Sequence, residues 1–126
     1  MNIFVSYTTR DKYIDDNLLT AASEVIADYG SPYIDLLHND SEDKQSHVEL
    51  KLSQSDLLLL LSSDSIKNSK WVQWELKEAK KKGIPVIDVQ TSSDFVETLT
   101  ILKHRLFSEL NKLTRRSSND AATCAV

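Results

Sequence analysis

Two short joints, Gly30-Ser31-Pro32 and Gly83-Ile84-Pro85, contain every glycine and proline in the chain, and they restrict its fold more than any other feature. Each follows a segment whose apolar residues recur at helical spacing and precedes a run of β-forming residues. Glycine supplies the left-handed position that stops a helix, and proline is tolerated at the start of a strand. Helix, stop and strand, repeated in this way, argue for parallel strands with helical crossovers and against a meander of hairpins. The crossovers are expected to be right-handed.

Taken in order, Ile3, Phe4 and Val5 begin an almost continuous apolar run, as a strand buried on both faces requires. Ser6 to Arg10 follow as a polar turn. Ile14, Leu18, Ala22, Val25 and Tyr29 then repeat at helical intervals until Gly30. Asp11 or Thr9 is the expected cap, with Asp15 and Asp16 in the early turns. Tyr33 to Leu37 reads as the second strand, and His38 to Gln45, HNDSEDKQ, as an exposed loop. Ser46 and Glu49 form a capping box that opens a short helix through Val48 and Leu52. Five leucines, Leu57 to Leu61, make the third strand, Ser62 to Ser69 a polar turn, and Ile84 to Val89 the fourth strand.

Beyond it Phe95, Leu99, Leu102, Leu106, Leu110 and Leu113 hold a helical period behind Asp94 or Ser93 as cap. Thr98 to Leu102 reads alternatively as a short fifth strand, because threonine and isoleucine favour β structure. Residues 1–113 form one domain, and residues 114–126, without periodicity, a flexible C-terminal tail. The fold class is α/β, a flavodoxin-like three-layer arrangement with a mostly parallel sheet of order 2-1-3-4 and helices on both faces. Its ligand cleft lies at the carboxyl edge between strands one and three. Ser6, Tyr7, Thr8 and Arg10 line it from the first turn, Ser62 to Ser69 from the third, and Trp71 and Glu75 from the helix that follows.

That helix carries its apolar stripe on Val72, Leu76 and Ala79. At about 100° per residue, Glu75 lies roughly 70° from the stripe centre on the Trp71 side, at the rim of the core. Trp71 is one turn earlier on the same face, so an indole and a carboxylate line one wall. The helix dipole favours an ionised Glu75 there unless burial overrides it. Lys80, Lys81 and Lys82 fall in the last turn, where cations offset the same dipole.

At 126 residues with 40% apolar content the chain suits a single domain. Its net charge of -4 interleaves both signs, which leaves no footprint for nucleic acid. The longest apolar run is five residues, the N-terminus lacks a signal-peptide pattern, and a cytoplasmic location without a membrane span is expected. Cys124 is the single cysteine and has no intramolecular partner. His38, Asn39, Asp40, Asp43 and His47 match no metal-ligand spacing, so no metal is expected.

Two stretches resemble the TIR domain family. Asn2-Ile3-Phe4-Val5-Ser6-Tyr7 is similar to the family's first box, which ends in Phe, Ile or Val, Ser, Tyr. Ser69-Lys70-Trp71-Val72-Gln73-Trp74-Glu75-Leu76 is similar to its Ser-x-Trp-x-x-x-Glu-Leu stretch. The second box of receptor-type members, an Arg-Asp stretch before Pro-Gly, is absent, as is the third with its Phe-Trp pair. The resemblance is therefore closer to small bacterial stand-alone TIR proteins, some of which act in the Thoeris antiphage system.

It implies cleavage of NAD as substrate, with no cofactor, through Glu75 as catalytic residue. The products are nicotinamide and a linear, cyclic or conjugated ADP-ribose signal for a separate effector. By the same resemblance Tyr7 and Trp71 are aromatic walls, Arg10 meets the pyrophosphate, and Ser6, Thr8 and Asn39 complete the substrate-binding set. Self-association, or association with other TIR domains, is also implied. A non-catalytic interaction module is the alternative, with Trp74 on the assembly surface if exposed. A nucleoside deoxyribosyltransferase-like enzyme is a third reading, against which the Ser-x-Trp spacing speaks.

Overall fold

The computed structural model describes residues 1–35 and 44–125, with side chains for 1–35 and 45–112. Four parallel strands, β1 (Asn2–Ser6), β2 (Ser31–Tyr33), β3 (Leu57–Ser62) and β4 (Val86–Gln90), form one sheet in the order β2-β1-β3-β4. Helices α1 (Asp16–Ala27), α2 (Lys44–Ser53), α3 (Lys70–Lys81) and α4 (Phe95–Ala125) alternate with the strands, and a 3-10 turn at Ile66–Asn68 precedes α3. This is the expected α/β, flavodoxin-like topology. No helix among the described residues is long and apolar enough to cross a membrane.

Strand alternation sorts the core into two layers. Ile3, Val5, Leu57, Leu59 and Leu61 face α1 and α4, where they meet Leu18, Leu19, Ala22, Leu102 and Leu106. Phe4, Leu58 and Leu60 face the other way, onto Val48, Leu52, Val72 and Ala79. Each successive leucine of β3 therefore serves the opposite layer, which is why five in a row occur at the centre of a sheet covered on both sides. The edge strand β4 differs, since Ile87 and Val89 are buried while Val86, Asp88 and Gln90 are exposed. Its open backbone is partly covered by Arg105, whose Nε donates to Asp88 O at 3.0 Å.

Several local expectations shift. Asp15 caps α1, its Oδ1 accepting from Leu18 N at 3.0 Å. Asp11 instead accepts from Ser65, at 3.2 Å from the amide and 3.0 Å from the hydroxyl. A carboxylate expected to start a helix thus ties the loop after β1 to the loop after β3. β2 begins at Ser31, two residues before the expected Tyr33, because Ser31 N already donates to Met1 O at 2.8 Å. Ser46 lies inside α2, not at its cap. Thr98 to Leu102 is helical, since Asp94 Oδ1 accepts from Glu97 N at 3.0 Å and starts α4 ahead of it. The helical backbone of α4 runs past Leu113 to Ala125. Asn39 and the loop 38–43 lie outside the described residues.

The two joints that look alike in the sequence work differently. Gly83 has φ +70, the left-handed stop, in open space. Gly30 does not have positive φ, yet a Cβ there would stand 2.5 Å from Met1 O. Its glycine permits close backbone approach to the start of β1.

Candidate active site

Ser69 sets the site's geometry by ending the turn after β3. Its Oγ accepts from Val72 N at 3.3 Å and starts α3 at the carboxyl edge of the sheet. The buried stripe of α3 is then Val72, Glu75 and Ala79, with Leu76 only partly buried. Glu75 thus occupies a core position with 4% exposure, deeper than the rim position expected from the wheel. Its partner comes from the end of β1, where Ser6 Oγ donates to Glu75 Oε1 at 2.8 Å.

Burial, not the helix dipole, sets the protonation of Glu75. Glu75 is the sixth residue of α3, beyond the first turn where the dipole acts. Desolvation raises its pKa from 4.5 to about 8; the Ser6 hydrogen bond opposes the rise and the negative charge of Asp35 adds to it. Asp35 is fixed from β2, with Tyr33 Oη donating to its Oδ1 at 3.1 Å. Burial first, and Asp35 second, push the Tyr33 phenol well above its ordinary value, so it remains a donor.

These groups share one cleft of about 310 Å³, lined by Val5, Tyr7, Thr8, Thr9, Asp35, Ser69, Trp71 and Glu75. Trp71 is 39% exposed and stacks on Trp74 with ring centroids 5.2 Å apart. Trp74 packs against the core layer beneath α3 and is half-buried, so it does not offer the free indole an assembly surface would use. A larger cleft of about 350 Å³ lies at the amino ends of β1 and β2, lined among others by Asn2, Ser31, His47 and Lys51. Among the described residues no carboxylate lines it, and it sits at the edge opposite the one where open parallel sheets bind ligands.

Of the residues named from the sequence, Tyr7, Thr8, Trp71 and Glu75 line the cleft together, and Ser6 joins them through its bond to Glu75. Arg10 is exposed and not part of the lining; its backbone amide donates to Thr8 Oγ1 at 3.3 Å. From the third turn only Ser69 reaches the cleft. Sequence reasoning missed Thr9 and Asp35. The signal for Asp35 was the joint itself, because a strand starting directly after Gly30 ends by Tyr33 and leaves Asp35 at the carboxyl edge.

The arrangement places a buried carboxylate, one oriented hydroxyl donor and an exposed aromatic plane around one cleft. In comparison with known families, residues 4–94 match the family described as Thoeris protein ThsB, TIR-like domain. No curated protein matches the chain.

Proposed function

This chain belongs to the TIR-like domain family of the Thoeris protein ThsB, an antiphage-defence family, and from that premise we propose that it cleaves NAD between nicotinamide and ribose. Glu75 is the catalytic carboxylate. The observation that carries the reading is its position, buried in the carboxyl-edge cleft, hydrogen-bonded to Ser6 and beside Trp71.

The bond from ribose C1′ to the pyridinium nitrogen breaks heterolytically, and its electron pair leaves with nicotinamide as a neutral molecule. The ribose becomes an oxocarbenium-like cation. Glu75 acts in its ionised form, which is the minority near neutral pH and the majority above about pH 8. That carboxylate stabilises the developing charge and holds the ribose hydroxyls, and a cation in the cleft in turn favours its ionisation. Water then captures C1′ and releases a proton to give ADP-ribose, or a nucleophile held in the closed site captures it to give a cyclic or conjugated product. That product acts as a signal to a separate effector. No general acid is required, because nicotinamide leaves as a neutral molecule.

The test is chromatography of NAD incubated with concentrated protein, with and without extract of phage-infected cells, beside Glu75→Gln. Nicotinamide release by the wild type alone is expected, and the second product identifies the signal. Intact NAD under every condition, or equal cleavage by Glu75→Gln, would remove the catalytic reading and leave the interaction module as the better account.

A further inference from the structure

The cleft contains two carboxylates, and among the described residues no lysine, arginine or histidine lines it. That balance suits the cationic nicotinamide end of the nucleotide at this part of the cleft, with the pyrophosphate lying outside the lining. We propose that Asp35 is a second substrate-facing carboxylate which, together with Glu75, selects the positively charged pyridinium form of the nucleotide over its uncharged dihydro form. The inference rests on the reading of the cleft as a nucleotide site and adds a specificity residue to it.

Three features of the fold support this role. Asp35 lies just past the carboxyl end of β2, two residues after Tyr33 and next to the fully buried Ile34. Its Oδ1 is held by the Tyr33 hydroxyl, and Tyr33 is itself fixed by burial and by ring contact with Phe4 at 5.5 Å. The carboxylate is therefore positioned by the sheet and not by a long side chain. Across the cleft Trp71 offers a planar surface on which a pyridinium ring gains both stacking and cation–π attraction.

The groups around Glu75 also define a pH signature. Ser6 faces it from β1, Tyr7 from the following loop, and Tyr33 and Asp35 from β2 and its end. Glu78 on the same helix is paired with Lys81 and Lys82. Asp35 is the charged neighbour that raises the Glu75 pKa beyond what burial does, so removing its charge makes Glu75 easier to ionise.

Binding is measured first by calorimetric titration of NAD and reduced NAD into Glu75→Gln, which cannot turn over, and into Glu75→Gln combined with Asp35→Asn. Asparagine retains an oxygen for the Tyr33 hydroxyl, and thermal melting verifies that each variant is folded. Glu75→Gln should favour NAD over the reduced form on the order of tenfold, as one opposed charge at close range allows. The added Asp35→Asn should bring the two within about twofold by weakening NAD alone. In the otherwise wild-type chain, Asp35→Asn should shift the acidic limb of kcat/KM to lower pH.

Unchanged NAD preference and an unmoved limb, in a protein that still releases nicotinamide, would overturn the role of Asp35 and leave the cleavage reading intact. Charge-selective binding without nicotinamide release would overturn cleavage and support Asp35. No binding of either nucleotide to any variant would overturn both.

Discussion

Glu75, the proposed catalytic carboxylate, destabilises the fold that holds it. An acid whose pKa is 4.5 when unfolded and about 8 when folded keeps its proton in the native state through a range in which the unfolded chain has released it. Below pH 4.5 both states are protonated and the group costs nothing. As pH rises toward 8 the unfolded state gains, and unfolding free energy falls by about 1.4 kcal/mol per pH unit. Glu75→Gln should therefore be more stable than the wild type, by about 3 kcal/mol near pH 7, with the difference nearly gone at pH 4.5. Urea unfolding of both proteins at several pH values checks this, and a constant difference would show that desolvation of Glu75 is not its cause. The direction was not legible in the sequence. Helical spacing identifies a glutamate near a stripe, but only the packing of β1 against α3 shows that it replaces a core residue and that Ser6 is its single hydrogen-bond donor from that strand.

Among the elements, the joints were the most legible feature and also the most misleading in detail. Both glycines precede a strand, and the parallel direction of the strands agrees with that repetition. Their reasons differ. Gly83→Ala places a side chain in open space at φ +70 and should cost about 1 kcal/mol of backbone strain. Gly30→Ala drives a Cβ against Met1 O, and neither backbone can yield without loosening the bond from Ser31 N. It should cost about 2 kcal/mol or more, despite its ordinary φ. Chemical denaturation of the two variants should rank them in that order. The helix caps were less legible because Asp11, Asp15 and Asp16 compete for one position, and the winner was fixed by a long-range partner. Ser65 claims Asp11, which leaves the cap to Asp15. No local pattern contains that information.

At the scale of the whole molecule, the Asp11–Ser65 contact joins the two loops that rise from the central strands and border the cleft at the carboxyl edge. Asp11→Ala should release both at once. Amide hydrogen exchange should accelerate at Ser65, which loses its acceptor, and in the turn around Asp11, while the core of β3 keeps its protection. If exchange changes only near residue 11, the loops are not coupled through this pair. The fold was legible because hydrophobic periodicity is a property of short segments. The cleft was legible only in part, since its walls come from three separate parts of the sequence and Asp35 could be placed only after the length of β2 was known. The Trp71–Trp74 stack, finally, makes the chain a spectroscopic instrument. Two nearly parallel indoles 5.2 Å apart have coupled electronic transitions, and one of them forms a wall of the cleft. A ring that slides against Trp71 will disturb that coupling, so near-ultraviolet circular dichroism can register occupancy of the cleft without a label and without a chemical reaction.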